Sequence, residues 1–127
     1  MDKINNSETV STFVSYQRIA NSLNVTLDSL KQMGVSSVMF LALALTEEAG
    51  EFAGKVKKFI RNKELDVDNL PKEEKTLLLH ELGDVLWYIS QLARVLGSNL
   101  EEVANLNVNK LLGRKKRGTL KSTGDFR

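Results

Sequence analysis

The chain has 127 residues, 42% hydrophobic and 27% charged, with one Pro, eight Gly, one His, no Cys and a formal net charge of +2. That length suits one domain with a modest core, and so few turn residues argue against an all-β fold. The lack of cysteine excludes disulfides, thiolate metal sites and cysteine nucleophiles, and a lone histidine supports neither a zinc site of several imidazoles nor, given its neighbours, a Ser-His-Asp hydrolase.

The opening residues, from Met1 to Glu8, contain no apolar stretch of signal-peptide length, and the longest apolar run, Val38 to Leu45, is far too short to span a membrane. A cytoplasmic protein without membrane partners is expected. A first helix is predicted from Ser7 or Glu8 to Leu23, with Val10, Phe13, Val14, Ile19 and Leu23 as its apolar stripe. Residues 24–34 connect, with room for a short helical turn. A second long helix is expected from the cap candidates Ser36 and Ser37 to about Arg61, followed by a polar connection to Leu70. Pro71 reads as the first residue of the next helix, with Glu73 and Glu74 suiting the positive end of its dipole. That helix should run to Leu96 and stop at Gly97. Ser98-Asn99-Leu100-Glu101 has the form of a capping box, opening a last helix that reaches Arg117 before Gly118. Residues 118–127 read as an irregular basic tail. The expectation is an all-α bundle of four to five helices, one domain over residues 1–127.

Two acidic pairs sit inside apolar helical stretches, Glu48-Ala-Gly-Glu51 and Glu81-Leu-Gly-Asp84. Residues three apart share a helix face, so each pair aims both carboxylates at one point. Leu77, Glu81, Asp84, Tyr88 and Gln91 fall on one face, and Leu78, Leu82, Val85, Leu86, Ile89 and Ala93 fill most of the rest, so a helix buried on most sides is expected. Gly50, Gly54 and Gly83 are expected to permit close helix contact. Two packed acidic helices concentrate four negative charges, and each unit-charge pair at about 4 Å costs roughly 4 kcal/mol at an effective dielectric near 20. Protonation, basic partners or a hard divalent cation such as Mg²⁺ or Mn²⁺ offsets that repulsion. Glu51 also has a simpler option, pairing with Lys55 one turn on, worth about 0.3–0.5 kcal/mol when exposed. His80 reads as a structural or surface residue, and a di-iron bundle is excluded because it needs Glu-x-x-His twice, which the chain nowhere contains.

Residues 114 to 127 hold six basic groups and one acid, against 12 basic and 15 acidic groups before them. Lys110, Arg114 and Arg117 recur at helical spacing and can grip a polyphosphate opposite a carboxylate cluster, Arg acting as a forked donor. A solvated basic helix end, or a nucleic-acid surface, is the competing reading, the latter weakened by the acidic body. Trp87, Tyr88, Phe13 and Phe40 are expected to be core aromatics before they are stacking platforms.

Three segments together resemble a known family: Glu47-Glu48-Ala-Gly-Glu51, then Glu81-Leu-Gly-Asp84-Val-Leu-Trp-Tyr88, then Asn107-x-x-Lys110-Leu-x-x-Arg114-x-x-Arg117-Gly. In order and spacing they are similar to the MazG-like members of the all-α nucleoside triphosphate pyrophosphohydrolases, with Tyr16-Gln17 a weaker echo and the ending Gly124-Asp125-Phe126-Arg127 like that of small members. The 29 residues between Glu51 and Glu81 are slightly long for the family and point to a longer connection near residues 62–70. The resemblance implies a bundle of that type and Mg²⁺-dependent hydrolysis of a nucleoside or deoxynucleoside triphosphate to monophosphate and pyrophosphate, with Mn²⁺ as the alternative ion. It implies Glu48, Glu51, Glu81 and Asp84 as metal ligands, and Glu47 and Glu48 in the catalytic step, Glu47 as a carboxylate that positions water. It implies substrate contacts from Lys55, Asn107, Lys110, Arg114, Arg117, Asp125 and Arg127, and a homodimer or homotetramer. A non-catalytic binding or regulatory module is the alternative function, ahead of a small nucleic-acid-binding protein.

Overall fold

A computed structural model describes residues 10–23, 27–62 and 69–119. Among them are five helices and no strand: α1 (Phe13–Ser22), α2 (Leu27–Gln32), α3 (Ser37–Arg61), α4 (Lys72–Val95) and α5 (Leu100–Lys116). The all-α expectation holds, and the turn anticipated within residues 24–34 is α2.

The helix starts are set by local hydrogen bonds, and three differ from the sequence expectation. α1 begins at Phe13 and not near Glu8: Thr12 Oγ1 accepts from the Ser15 amide at 3.1 Å, and Ser15 Oγ accepts from the Thr12 amide at 3.2 Å. A reciprocal pair of hydroxyls thus does the work usually done by Thr and Glu, and leaves Val10 outside the helix. Pro71 stands just before α4, its backbone extended at ψ 151° and its carbonyl accepting from Lys75 N at 3.1 Å. The α5 cap falls one residue later than Ser98: Asn99 accepts from the Glu102 amide at 2.9 Å, while Ser98 Oγ donates to Glu102 Oε2 at 2.6 Å. α4 and α5 stop in the same way. Gly97 and Gly118 adopt φ of +75° and +71°, and the next amides, of Ser98 and Thr119, donate back to Ala93 O at 2.8 Å and Arg114 O at 3.0 Å. That left-handed residue satisfies the last carbonyls of the helix and suits glycine.

α3 and α4 form the main contact of the fold. Lys55 meets Glu81 at one end of the pair, and Leu41 packs with Tyr88, Leu92 and Val95 at the other, so the two helices run antiparallel. α2 adds Leu30 to that cluster, which also takes in Phe40. α1 lies against α4 and α5. Gln17 ties the three together, its Nε2 donating to Ser90 O at 3.0 Å and its Oε1 accepting from Leu100 N at 3.2 Å.

Among the described residues the buried apolar set is small: Ala20, Leu30, Leu41, Ala44, Leu70, Ala93 and Leu100. α4 is not buried on most sides, as its pattern suggested, since Leu77, Leu79 and Leu82 are exposed. Nor do Gly50, Gly54 and Gly83 mediate close contacts within the chain, because a Cβ on any of them would meet nothing within 4 Å. Of the aromatics, Phe40 and Tyr88 are core as expected, Trp87 stands edge-on to Tyr88 with ring centroids 5.0 Å apart, and Phe13 is exposed.

Candidate functional site

The antiparallel α3–α4 pair brings the two acidic motifs face to face. Glu48, Glu51 and Glu81 each offer a carboxylate oxygen, and these oxygens lie within 4.8 Å of one another. Glu81 is only 8% exposed, Glu48 is half-buried, and Glu51 and Asp84 are exposed. Glu81 Oε1 is 3.1 Å from Lys55 Nζ across the helix pair, while Glu81 Oε2 is buried with no hydrogen-bond partner. Lys55 therefore serves α4, not the Glu51 on its own helix.

The crowding registers on Glu48, whose carboxyl is held above the usual carboxylate range by burial first, then by the charges of Asp84, Glu51, Glu47 and Glu81. Asp84 stands outside the three-oxygen cluster, yet among the charges it is the first to act on Glu48. Two phenols border the same charges. Tyr88 is raised by burial and then by Glu48, Glu47 and Asp84, and Tyr16 of α1 by burial and then by Asp84. Both hydroxyls thus stay protonated and available as donors. Tyr16 was visible in the sequence only as an echo beside Gln17, because no local pattern tells that α1 folds onto the Asp84 end of α4.

The chemistry of this set fits a hard divalent cation. Every donor is a carboxylate oxygen, and one buried oxygen lacks a partner, a costly state that a bound cation relieves. His80 lies on the surface and adds no ligand.

A family model described as the MazG nucleotide pyrophosphohydrolase domain matches residues 37–119. The chain belongs to the MazG family. It is also similar to the gene 37 protein of Mycobacterium phage L5, with 41% identity over 93 residues, covering 73% of this chain and 79% of the phage protein. No solved structure gives a significant match. The MazG segment begins at the first residue of α3 and includes both acidic pairs and the basic block, leaving α1 with its Tyr16 outside.

The basic block of the MazG segment is not drawn onto the carboxylates. Asn107, Lys110 and Arg117 are exposed on α5, and Arg114 is half-buried. The Arg117 guanidinium folds back over Gly113, where a Cβ would stand 3.3 Å from it. α5 packs on α1 and α4 and not on α3. Among the described residues, none of these three cations forms an ion pair with Glu48, Glu51, Glu81 or Asp84. Asp125 and Arg127 lie outside the described residues. Glu47 is exposed beside Glu48 and close enough to act on Tyr88. No helix among the described residues is long and apolar enough to cross a membrane.

Proposed function

We propose that the protein hydrolyses a nucleoside or deoxynucleoside triphosphate to the monophosphate and pyrophosphate. The observation that carries this is the Glu48–Glu51–Glu81 cluster, with its unpartnered Glu81 oxygen, in a MazG chain. Glu48, Glu51, Glu81 and Asp84 hold Mg²⁺, or Mn²⁺ in its place. The ion supplies neutralisation of the triphosphate and activation of water. Glu47, outside the cluster but adjacent, orients the water for attack at the α-phosphorus. Glu48, crowded by the charges of Asp84, Glu51, Glu47 and Glu81, takes its part in the catalytic step as a carboxylate that the ion relieves of that repulsion. Lys55, Asn107, Lys110, Arg114, Arg117, Asp125 and Arg127 make up the substrate-binding set, its cations neutralising phosphate oxygens. The tyrosine hydroxyls beside Asp84 remain neutral donors at the rim. The exposed leucines of α4 and the small core favour a homodimer or homotetramer in the cytoplasm.

Hydrolysis in ¹⁸O-labelled water tests the reading. Label in the monophosphate, with pyrophosphate released in equal amount and only in the presence of the cation, is the expected result. Label in pyrophosphate would place attack at the β-phosphorus, and release of single phosphate would mark a γ-phosphatase. Cation and nucleotide binding without turnover would mark a binding module instead.

A further inference from the structure

Glu48, Glu51 and Lys55 follow one another on α3 at spacings of three and four, so they share the helix face turned to Glu81 of α4. Glu48, Glu51 and Glu81 bring carboxylate oxygens within 4.8 Å of one another, and Glu47 and Asp84 add their charges to the same neighbourhood. Lys55 Nζ stands 3.1 Å from Glu81 Oε1, so a positive charge already touches the cluster. Glu81 is buried, and its second oxygen has no hydrogen-bond partner. The carboxylate thus holds its lysine through one oxygen and leaves the other for a second positive charge.

A hard divalent cation and this ammonium compete for the same carboxylate. The cation carries twice the charge and coordinates oxygen at a shorter distance than the 3.1 Å of the lysine, so it draws Glu81 more strongly. With a cation among the three carboxylates, the excess negative charge that holds Lys55 falls. The two positive charges also repel each other beside a buried carboxylate, where salt screens them little. Lys55 is able to respond, since it is one-third exposed and its ammonium rides on a flexible four-carbon stem. A triphosphate beside the cation supplies fresh oxygens to receive it.

We propose that Lys55 keeps the cation's place and then changes partner: it neutralises Glu81 in the cation-free protein, yields that carboxylate when a divalent cation loads the cluster, and turns its ammonium to the phosphates of the triphosphate. Lys55 therefore weakens the binding of the cation alone. It also couples the two ligands, because the lysine displaced by one is taken up by the other, and each eases the binding of its fellow by the same factor. The second partner of Lys55 rests on the proposed triphosphate hydrolysis, whereas the exchange at Glu81 stands on the ion pair and the unpartnered oxygen.

Binding of Mn²⁺ without nucleotide, followed by the electron-spin signal of the free ion, tests the exchange. Lys55→Met is expected to bind Mn²⁺ about tenfold more tightly than the wild type. Lys58→Met, which removes an exposed lysine further along α3, should stay within about twofold of it, and Lys55→Arg, which keeps the charge, should return the affinity towards the wild-type value. A Lys55→Met chain that binds Mn²⁺ no more tightly than Lys58→Met, or a set of chains that bind none, overturns the proposal. An α,β-imido deoxynucleoside triphosphate, which blocks cleavage between the α- and β-phosphorus, then measures the coupling. Mn²⁺ and this analogue should each tighten the other in the wild type and do so far less in Lys55→Met; equal coupling in the two overturns the change of partner. Should Lys55→Met fail to fold, the wild-type ammonium reports directly. In ¹⁵N spectra of lysine-labelled chain the Lys55 signal, assigned by its loss in Lys55→Arg, is expected to shift on saturation with Mg²⁺ and again on adding the analogue, and a signal fixed through both steps overturns the exchange. Wild-type pyrophosphate release separates the two claims: its absence defeats the hydrolase reading, while the Mn²⁺ affinities still decide whether Lys55 keeps the cation's place.

Discussion

Lys55 and Glu81 join α3 to α4 through a 3.1 Å contact in which the lysine is one-third exposed and the carboxylate almost buried. The lysine is the cation that holds Glu81 in place beside two other carboxylates. Lys55→Met leaves that charge uncompensated and costs the cation-free protein about 1–3 kcal/mol. Adding Glu81→Gln recovers most of the loss, and urea unfolding of the wild type, both single variants and the double variant in chelator measures the coupling.

Glu51→Gln or Asp84→Ala removes a proposed cation ligand and also relieves repulsion. Turnover is expected to fall by at least about a hundredfold, while stability in chelator holds or rises. Wild-type protein gains about 2.7 kcal/mol at a cation concentration one hundred times Kd, and the variants lose most of this gain. Full turnover by Asp84→Ala with the cation present removes Asp84 from the site.

The raised Glu48 carboxyl fixes a sign for the pH dependence of cation-free stability. The native state holds this proton above the ordinary carboxylate value of 4.5, where the unfolded chain has released it. Over that window the native state binds more protons, so Glu48 lowers stability as pH rises towards its native value and stops contributing further change above it. Denaturation in chelator between pH 4 and 7 should show this loss in the wild type and a flatter profile in Glu48→Gln. An identical slope in the two proteins rules out Glu48 as its source.

Gln17 spans α1, the end of α4 and the start of α5 through two hydrogen bonds. Gln17→Ala leaves the Leu100 amide and the Ser90 carbonyl without that partner, at a cost of about 1–3 kcal/mol. Hydrogen exchange should quicken at Leu100 and in α1 ahead of the middle of α3. Uniform protection would show that α1 is held by other contacts.

The long helices and the placing of each acidic pair on one helix face were legible in the sequence because both depend on local spacing. Glu48 with Glu51, and Glu81 with Asp84, share faces by helix geometry alone. The stops at Gly97 and Gly118 were legible for the same reason, since a left-handed residue suits glycine. The starts were less so: Thr12–Ser15 closes a capping box with hydroxyls at both ends, and Asn99 takes the role that Ser98 had equal chemistry to play.

Tertiary structure alone decided which side chains meet across elements. Glu51 was as near to Lys55 in sequence as a helical ion pair requires, yet the antiparallel pairing hands Lys55 to the more buried Glu81, where a neighbouring cation offsets a larger desolvation cost. The sequence marked Lys110, Arg114 and Arg117 as one basic face and determined the charge of each partner. It did not determine the direction in which α5 leaves Gln17 and Leu100, and that direction keeps the face from the carboxylates of its own chain. Residue spacing sets a face within one helix, whereas the meeting of two faces depends on packing between helices.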